Sequence, residues 1–151
     1  MNLQLFAYFT DIRNQIIEIA TQKGMNASGK TLTSLEITEI PNGLELMANS
    51  NIYFMENGRG PTHPGTPAGN PNLVEVIQNW LDAKGLAINP YAVANAIHKN
   101  GTRLYRSGGN SGVLSIPLKL ERLDEVFANI SAEYLQTASQ DIFKPMLEMG
   151  Q

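Results

Sequence analysis

Residues 36–48 read Glu-Ile-Thr-Glu-Ile-Pro-Asn-Gly-Leu-Glu-Leu-Met-Ala. Two runs of alternating polar and apolar side chains flank Pro41-Asn42-Gly43, and a period of two is that of a half-buried strand. Pro41 presets a turn φ, while Asn and Gly tolerate the backbone of a tight reversal. The stretch predicts a β-hairpin. At both ends of the chain the period is helical instead. Leu5, Phe9, Ile12, Ile16 and Ile19 recur at spacings of four and three, predicting an amphipathic helix over 2–22 that Gly24 ends, with Lys23 in its last turn. Leu120, Leu123, Phe127, Ile130 and Tyr134 predict a long C-terminal helix over 119–142. The two end helices are expected to pack on each other or on the hairpin. A coiled-coil partner helix is the alternative, and the shortness of each stripe weighs against it.

Between these elements the punctuation is strong. Ser28 is expected to cap a short helix across Lys30–Leu35. Residues 50–58 fit helix or strand. Residues 59–71 hold four prolines and three glycines and read as loop. Asn70 is then expected to cap, and Pro71 to start, a helix whose apolar face is Leu73, Val74, Ile77, Trp80 and Leu81, closed by Lys84 and Gly85. Trp80 is placed in the core. Asn89 and Pro90 repeat the device for a short helix carrying Val93, Ala96 and Ile97, which Asn100-Gly101 stops. Residues 101–112 read as a mobile loop and Val113–Pro117 as a short strand. The sum is an α+β fold in a single domain, 1–151: a small antiparallel sheet packed with N- and C-terminal amphipathic helices and two short middle helices.

Composition bounds the function. With 42% apolar residues the chain is globular. It has no cysteine, which excludes disulfides, thiolate metal sites and a cysteine nucleophile. The start, MNLQLFAYFTDIRNQII, lacks the basic start and small-residue cleavage site of a signal peptide, and no apolar run approaches the roughly 20 residues of a membrane span. A soluble chain made in the cytoplasm, with no membrane contact, is expected. The net charge of −3 is mild but unevenly spread. Between Asp82 and Glu121 there is no acid, and Lys84, Lys99, Arg103, Arg106 and Lys119 give +5, whereas residues 121–151 carry six acids and two bases. The basic stretch is either a solvated surface or a face for DNA or an acidic partner.

Catalytic motifs are sparse. Gly24-Met25-Asn26-Ala27-Ser28-Gly29-Lys30-Thr31 matches the phosphate-binding pattern G-x-x-x-x-G-K-[ST], which counts only when a buried strand precedes it and a helix follows. Here a helical period precedes it, and no apolar run ending in Asp supplies a second magnesium carboxylate. Gly109-Asn110-Ser111-Gly112 misplaces the second glycine of G-x-S-x-G. His63 and His98 lie in unrelated segments without a nearby carboxylate, so they make neither a metal pair nor a Ser-His base. No carboxylate pair stands out. The residues therefore favour no cofactor and no catalysis. They leave two alternatives to a structural role: a nucleotide-binding protein using Gly24–Thr31, and a small cytosolic DNA-binding or adaptor module using the basic loop 99–106.

Asn49–Pro61, NSNIYFMENGRGP, has another character. An aromatic pair, Tyr53 and Phe54, leads into Glu56-x-Gly58, then Arg59-Gly60-Pro61 and a loop containing His63. Loops of this kind, held on a rigid frame, bind partners. Tyr105, set between Arg103 and Arg106, has the composition of an interface anchor. Tyr53, Phe54, Glu56, Arg59, His63, Arg103, Tyr105 and Arg106 are the candidate interface residues.

The order of these parts resembles the neck and tail-completion proteins of tailed bacteriophages, also called head–tail joining or minor tail proteins. The resemblance spans residues 27–106: Ala27–Leu35 after a first helix, the hairpin, Tyr53–Gly58, Pro61-Thr62-His63-Pro64, Ile77–Leu86, and the short helix that ends at Gly101-Thr102. Each motif is loose, and their order carries the likeness. The family has a similar Ser-Gly-Lys/Arg stretch with no nucleotide. It usually reads Gly-Thr-Arg-Pro after the glutamate, where this chain has Gly58-Arg59-Gly60-Pro61. The resemblance implies a non-enzymatic virion protein, assembled in the host cytoplasm. Its copies would form a homo-oligomeric ring at the neck or tail end, against portal, neck or tail proteins, with the basic 84–119 region near packaged DNA or an acidic neighbour.

Overall fold

In the computed structural model, which describes residues 3–148, helix α1 (Leu3–Gln22) supplies the largest share of the core. Its Ile12, Ile16 and Ala20 are buried against Leu32, Leu35, Ile52 and Val113, with Leu46, Met55 and Leu114 at the margin. Each fully buried aliphatic side chain contributes about 1.5–3 kcal/mol, so this cluster outweighs any surface contact in the chain. Arg13 donates from Nε to the carbonyl of Leu35 at 3.0 Å, which fixes the short helix α2 (Lys30–Thr33) beside α1.

The hairpin forms as the sequence predicts. Strand β1 (Glu36–Ile40) pairs antiparallel with β2 (Gly43–Met47), Glu36 opposite Met47 and Ile40 opposite Gly43. Pro41 and Asn42 make the two-residue turn. In this register Ile37, Leu44 and Leu46 share the half-buried face, while Thr38, Ile40, Glu45 and Met47 share the exposed one. The fold is thus α+β: one two-stranded sheet, flanked by end helices and shorter middle helices.

Those middle helices are more numerous than expected: α3 (Asn51–Asn57), α4 (Leu73–Lys84), α5 (Pro90–Asn100) and α6 (Arg103–Arg106) all follow the hairpin. The stretch 50–58 is helical, with Asn49 Oδ1 accepting from the amide of Asn51 at 3.0 Å. At α4 the expected cap is corrected. Asn72, not Asn70, is the N-cap, and it forms a reciprocal box with Glu75, each side chain bonding the other's backbone amide at 2.9–3.0 Å. Pro71 therefore lies ahead of the helix rather than in its first turn. Asn89 and Pro90 do cap and start α5, Asn89 Oδ1 accepting from Tyr91 and Ala92. Ser28 does not cap α2; Gly29 occupies that position and makes no side-chain cap bond.

Three further expectations give way to packing. Trp80 is not core: it is 41% exposed, because α4 turns Leu81 inward, and Leu81 and Ala94 of the adjacent α5 are the buried residues of these two helices. Residues 101–112 are not wholly loop, since Thr102 Oγ1 accepts from the Tyr105 amide and caps α6. Val113–Pro117 is not a strand. It winds as helical turns, with bonds from the Ile116 amide to the Gly112 carbonyl and from Leu118 to Leu114.

The C-terminal helix α7 (Leu120–Glu148) runs antiparallel to α1: Arg122 pairs with Asp11 and bonds Gln15, and Gln4 bonds Glu133 at 2.6 Å. The two leave an open groove of about 720 Å³ lined by Tyr8, Asp11, Arg122, Val126 and Glu133 among others. The expected stripe is only half covered. Leu123 and Ile130 are half-buried, but Leu120, Phe127 and Tyr134 face solvent. Residue 2, which the sequence assigns to the first helix, lies outside the described residues.

Candidate functional site

The segment 53–63 and the stretch 98–114, which contains the basic loop 99–106 and the candidates Arg103, Tyr105 and Arg106, cross each other and are bonded along their length. The crossing starts at the end of α3. Gly58 there has φ +74°, a conformation that side chains disfavour. A Cβ at Gly58 would land on the backbone nitrogen of Tyr105 and 2.6 Å from Thr102 Oγ1. Gly101, at φ +73°, is the mirror case: its Cβ would come 2.8 Å from the Arg59 carbonyl. With no side chain at either position the backbones approach and exchange bonds. The Arg59 amide donates to Thr102 Oγ1 at 3.0 Å, and the Thr102 amide donates to the Arg59 carbonyl at 2.8 Å. The ring of Tyr105 lies over Gly60, where a Cβ would come within 3.2 Å of it.

Glu56 locks the far side of the crossing. It is 6% exposed. Its carboxylate accepts from the Leu114 amide at 2.8 Å and from Ser111 Oγ at 3.2 Å, and its carbonyl accepts from the Ser111 amide at 2.8 Å. Burial pushes this carboxyl up, but the bonds from Leu114, Ser115 and Ser111 outweigh burial and hold it below the usual carboxylate range. Glu56 is therefore ionised and acts as an internal brace. It also organises the helical turns after Val113, since the amide it receives belongs to their first turn.

A polar group closes the near side. Thr62 Oγ1 lies 2.7 Å from His98 Nδ1, and the Thr62 amide donates to the His98 carbonyl at 2.9 Å. Arg59 donates from Nη2 to Thr62 Oγ1 at 3.4 Å, while its Nη1 is buried without a partner among the described residues. No carboxylate among the described residues bonds His98, so the pair lacks the third group that orients a catalytic base.

The crossing gathers Glu56, Arg59 and Tyr105. His63 is exposed on the loop beyond Thr62. Arg103 and Arg106 are exposed on α6, and Tyr53 and Phe54 are exposed on α3, edge to face at 6.1 Å. Thr62, His98, Thr102 and Ser111 were not singled out as site residues, although a threonine directly after a helix-stopping glycine is a capping signal in its own right.

The phosphate-binding pattern does not have its required frame. Helix α1 rather than a strand precedes Gly24, and α2 is four residues long. The carbonyl of Gly24 accepts from Lys84 Nζ at 2.8 Å, which ties this segment to the end of α4. Among the described residues no group of three or more His, Cys, Asp or Glu side chains converges as metal ligands, and no helix is long and apolar enough to cross a membrane. Compared with protein-family models, curated proteins and solved structures, the chain matches none.

Proposed function

We propose that this chain is a structural virion protein of a tailed bacteriophage, whose copies form a ring at the head–tail neck or the tail end. The observation that carries the reading is the crossing itself. Two of the motifs in the likeness to tail-completion proteins, Glu56-Asn57-Gly58 and Gly101-Thr102, meet there: Gly58 and Gly101 admit no side chain where the backbones touch, and Arg59, next after Gly58, exchanges bonds with Thr102. They act as one braced unit presenting Tyr53, Phe54, Arg103, Tyr105 and Arg106 outward. Arginine and aromatic side chains on a rigid support are the composition of an interface core. In this reading the chain performs no catalytic step and needs no cofactor. Its partners are its own copies and the portal, neck or tail proteins, with packaged DNA as a possible neighbour of the basic 84–119 region.

The test is mass spectrometry of purified virus particles from the culture that yields this chain, with antibody labelling of the particles. The expected result is a fixed copy number and label at the head–tail junction or tail end. Recovery only in the soluble cell fraction overturns the reading.

A further inference from the structure

Between Arg59 and Thr102 the chain makes an excursion that carries α4 and α5 and returns to where it left. The Arg59 amide bonds Thr102 Oγ1 at 3.0 Å and the Thr102 amide bonds the Arg59 carbonyl at 2.8 Å, so entry and exit lie side by side. Thr62 and His98 form a second rung, amide to carbonyl at 2.9 Å and Oγ1 to Nδ1 at 2.7 Å. The base of the excursion is closed on itself, and residues 60–101 beyond it form an arm.

The arm has a small core of its own. Leu81 of α4 and Ala94 of α5 are its buried apolar residues. The main buried cluster draws on α1, Leu32, Leu35, Ile52 and Val113, and among the described residues it takes nothing from 60–101. Val76, Trp80, Leu86, Ile88 and Tyr91 of the arm face solvent. An element with so little buried apolar surface, and none of it in the main core, belongs to the low end of local stability.

What ties the arm down is one side chain. Beyond the crossing, the hydrogen bonds that reach from the arm to the rest of the described chain come from Lys84 Nζ, which donates to the Gly24 carbonyl at 2.8 Å and lies 3.5 Å from the carbonyl of Asn26. They join the last turn of α4 to the segment that follows α1. Lys84 exchanges these acceptors for water when it lets go, so the tie is modest beside the apolar burial that holds α1 in place.

At the base, Arg59 acts in the opposite sense. Its Nη2 reaches Thr62 Oγ1 of the arm only at 3.4 Å, and its Nη1 is buried without a partner among the described residues. An unbonded donor on a buried charged group destabilises the closed state, and opening returns it to water.

We propose that residues 60–101 are a hinged arm that opens as one unit about the Arg59–Thr102 base while the α1 core stays folded, with Lys84 as the latch and Arg59 as the residue that favours release. Opening is a property of one copy and needs no partner. It gives the molecule a second conformation, and a substitution at either residue shifts the balance between the two.

The experiment is native-state hydrogen exchange of the full chain, read by mass spectrometry on peptides from α1, α4 and α5 at rising urea below the unfolding transition. The amides of α4 and α5 are expected to share one opening equilibrium, more favourable than that of α1 and less dependent on urea, because less surface is exposed. Lys84→Met is expected to speed exchange in α4 and α5 about three- to tenfold and to leave α1 unchanged, whereas Arg59→Met slows it about threefold or more. Exchange of α1, α4 and α5 at one rate with one urea slope overturns the proposal, since the arm then opens only with the whole fold. Different slopes for α4 and α5 overturn it as well, because the arm is then not a unit. So does a Lys84→Met variant that leaves α4 and α5 unchanged or speeds α1 equally, or an Arg59→Met variant that does not slow them. None of these outcomes bears on whether the chain is found in purified particles, so the virion reading stands or falls separately.

Discussion

Gly58 and Glu56 show how single residues fix the crossing. At Gly58 both the sign of φ and the lack of space exclude a side chain, since a Cβ would meet Thr102 Oγ1 at 2.6 Å. Gly58→Ala should therefore cost about 2–4 kcal/mol, more than conformational preference alone, because the two backbones must part to admit the methyl. The midpoint of urea unfolding measures it, and a shift no larger than that of an ordinary surface substitution would show that the loops are not clamped there. Glu56 makes a prediction in pH. Its carboxyl is held below the usual range in the folded chain, so the folded state binds this proton less readily than the unfolded state. The stability it supplies is fully present above the unfolded pKa and is lost as pH falls through the folded value. Glu56→Gln removes that contribution and should lose more stability near neutrality than at about pH 3, flattening the acid limb of stability against pH. Parallel acid limbs in the two proteins would assign the acid sensitivity to another group.

Elements were legible where a local signal had no competitor. The hairpin is such a case: its alternation and its Pro-Asn-Gly turn agree. So is α5, where one asparagine directly precedes one proline. Before α4 two asparagines compete, Asn70 and Asn72, and the discriminating feature is Glu75, three residues after the second. Asn72→Ala should cost about 1 kcal/mol, while Asn70→Ala should fall within about 0.5 kcal/mol of wild type. Thermal melts of both variants decide it, and equal shifts would remove the capping box as the reason α4 starts where it does. The turns at 113–118 were illegible for a different reason. Val113-Leu114-Ser115-Ile116 has the composition of a strand, and what winds it is a carboxylate 58 residues away in sequence, Glu56 bonding the Leu114 amide. Trp80 shows the remaining limit. The period of α4 was correct, but its rotation is set by Leu81 packing inward beside α5, which a one-dimensional stripe does not encode.

At the scale of the whole molecule, periodicity announces an apolar stripe without saying what covers it. In α1 the stripe of Ile12 and Ile16 is covered by this chain, whereas in α7 the same kind of stripe leaves Phe127 and Tyr134 exposed. The charge asymmetry between residues 83–120 and 121–151 was legible from the start, because charges stay at the surface wherever the chain folds. The candidate interface was legible as two segments. That they form one unit was not, because the bonds at Arg59–Thr102 and Thr62–His98 join residues about 40 positions apart. The difference between covered and uncovered stripes makes a measurable contrast. Ile16→Ala removes buried volume from the main core and should cost about 2–5 kcal/mol in any state of assembly. The double change Phe127→Ser, Tyr134→Ser alters residues that touch solvent in the single copy, so unfolding of dilute protein should move by no more than about 0.5 kcal/mol. Urea unfolding curves of the two variants test both halves. If the serine variant is as destabilised as Ile16→Ala, then Phe127 and Tyr134 belong to the core, and the stripe of α7 is covered by this chain as that of α1 is.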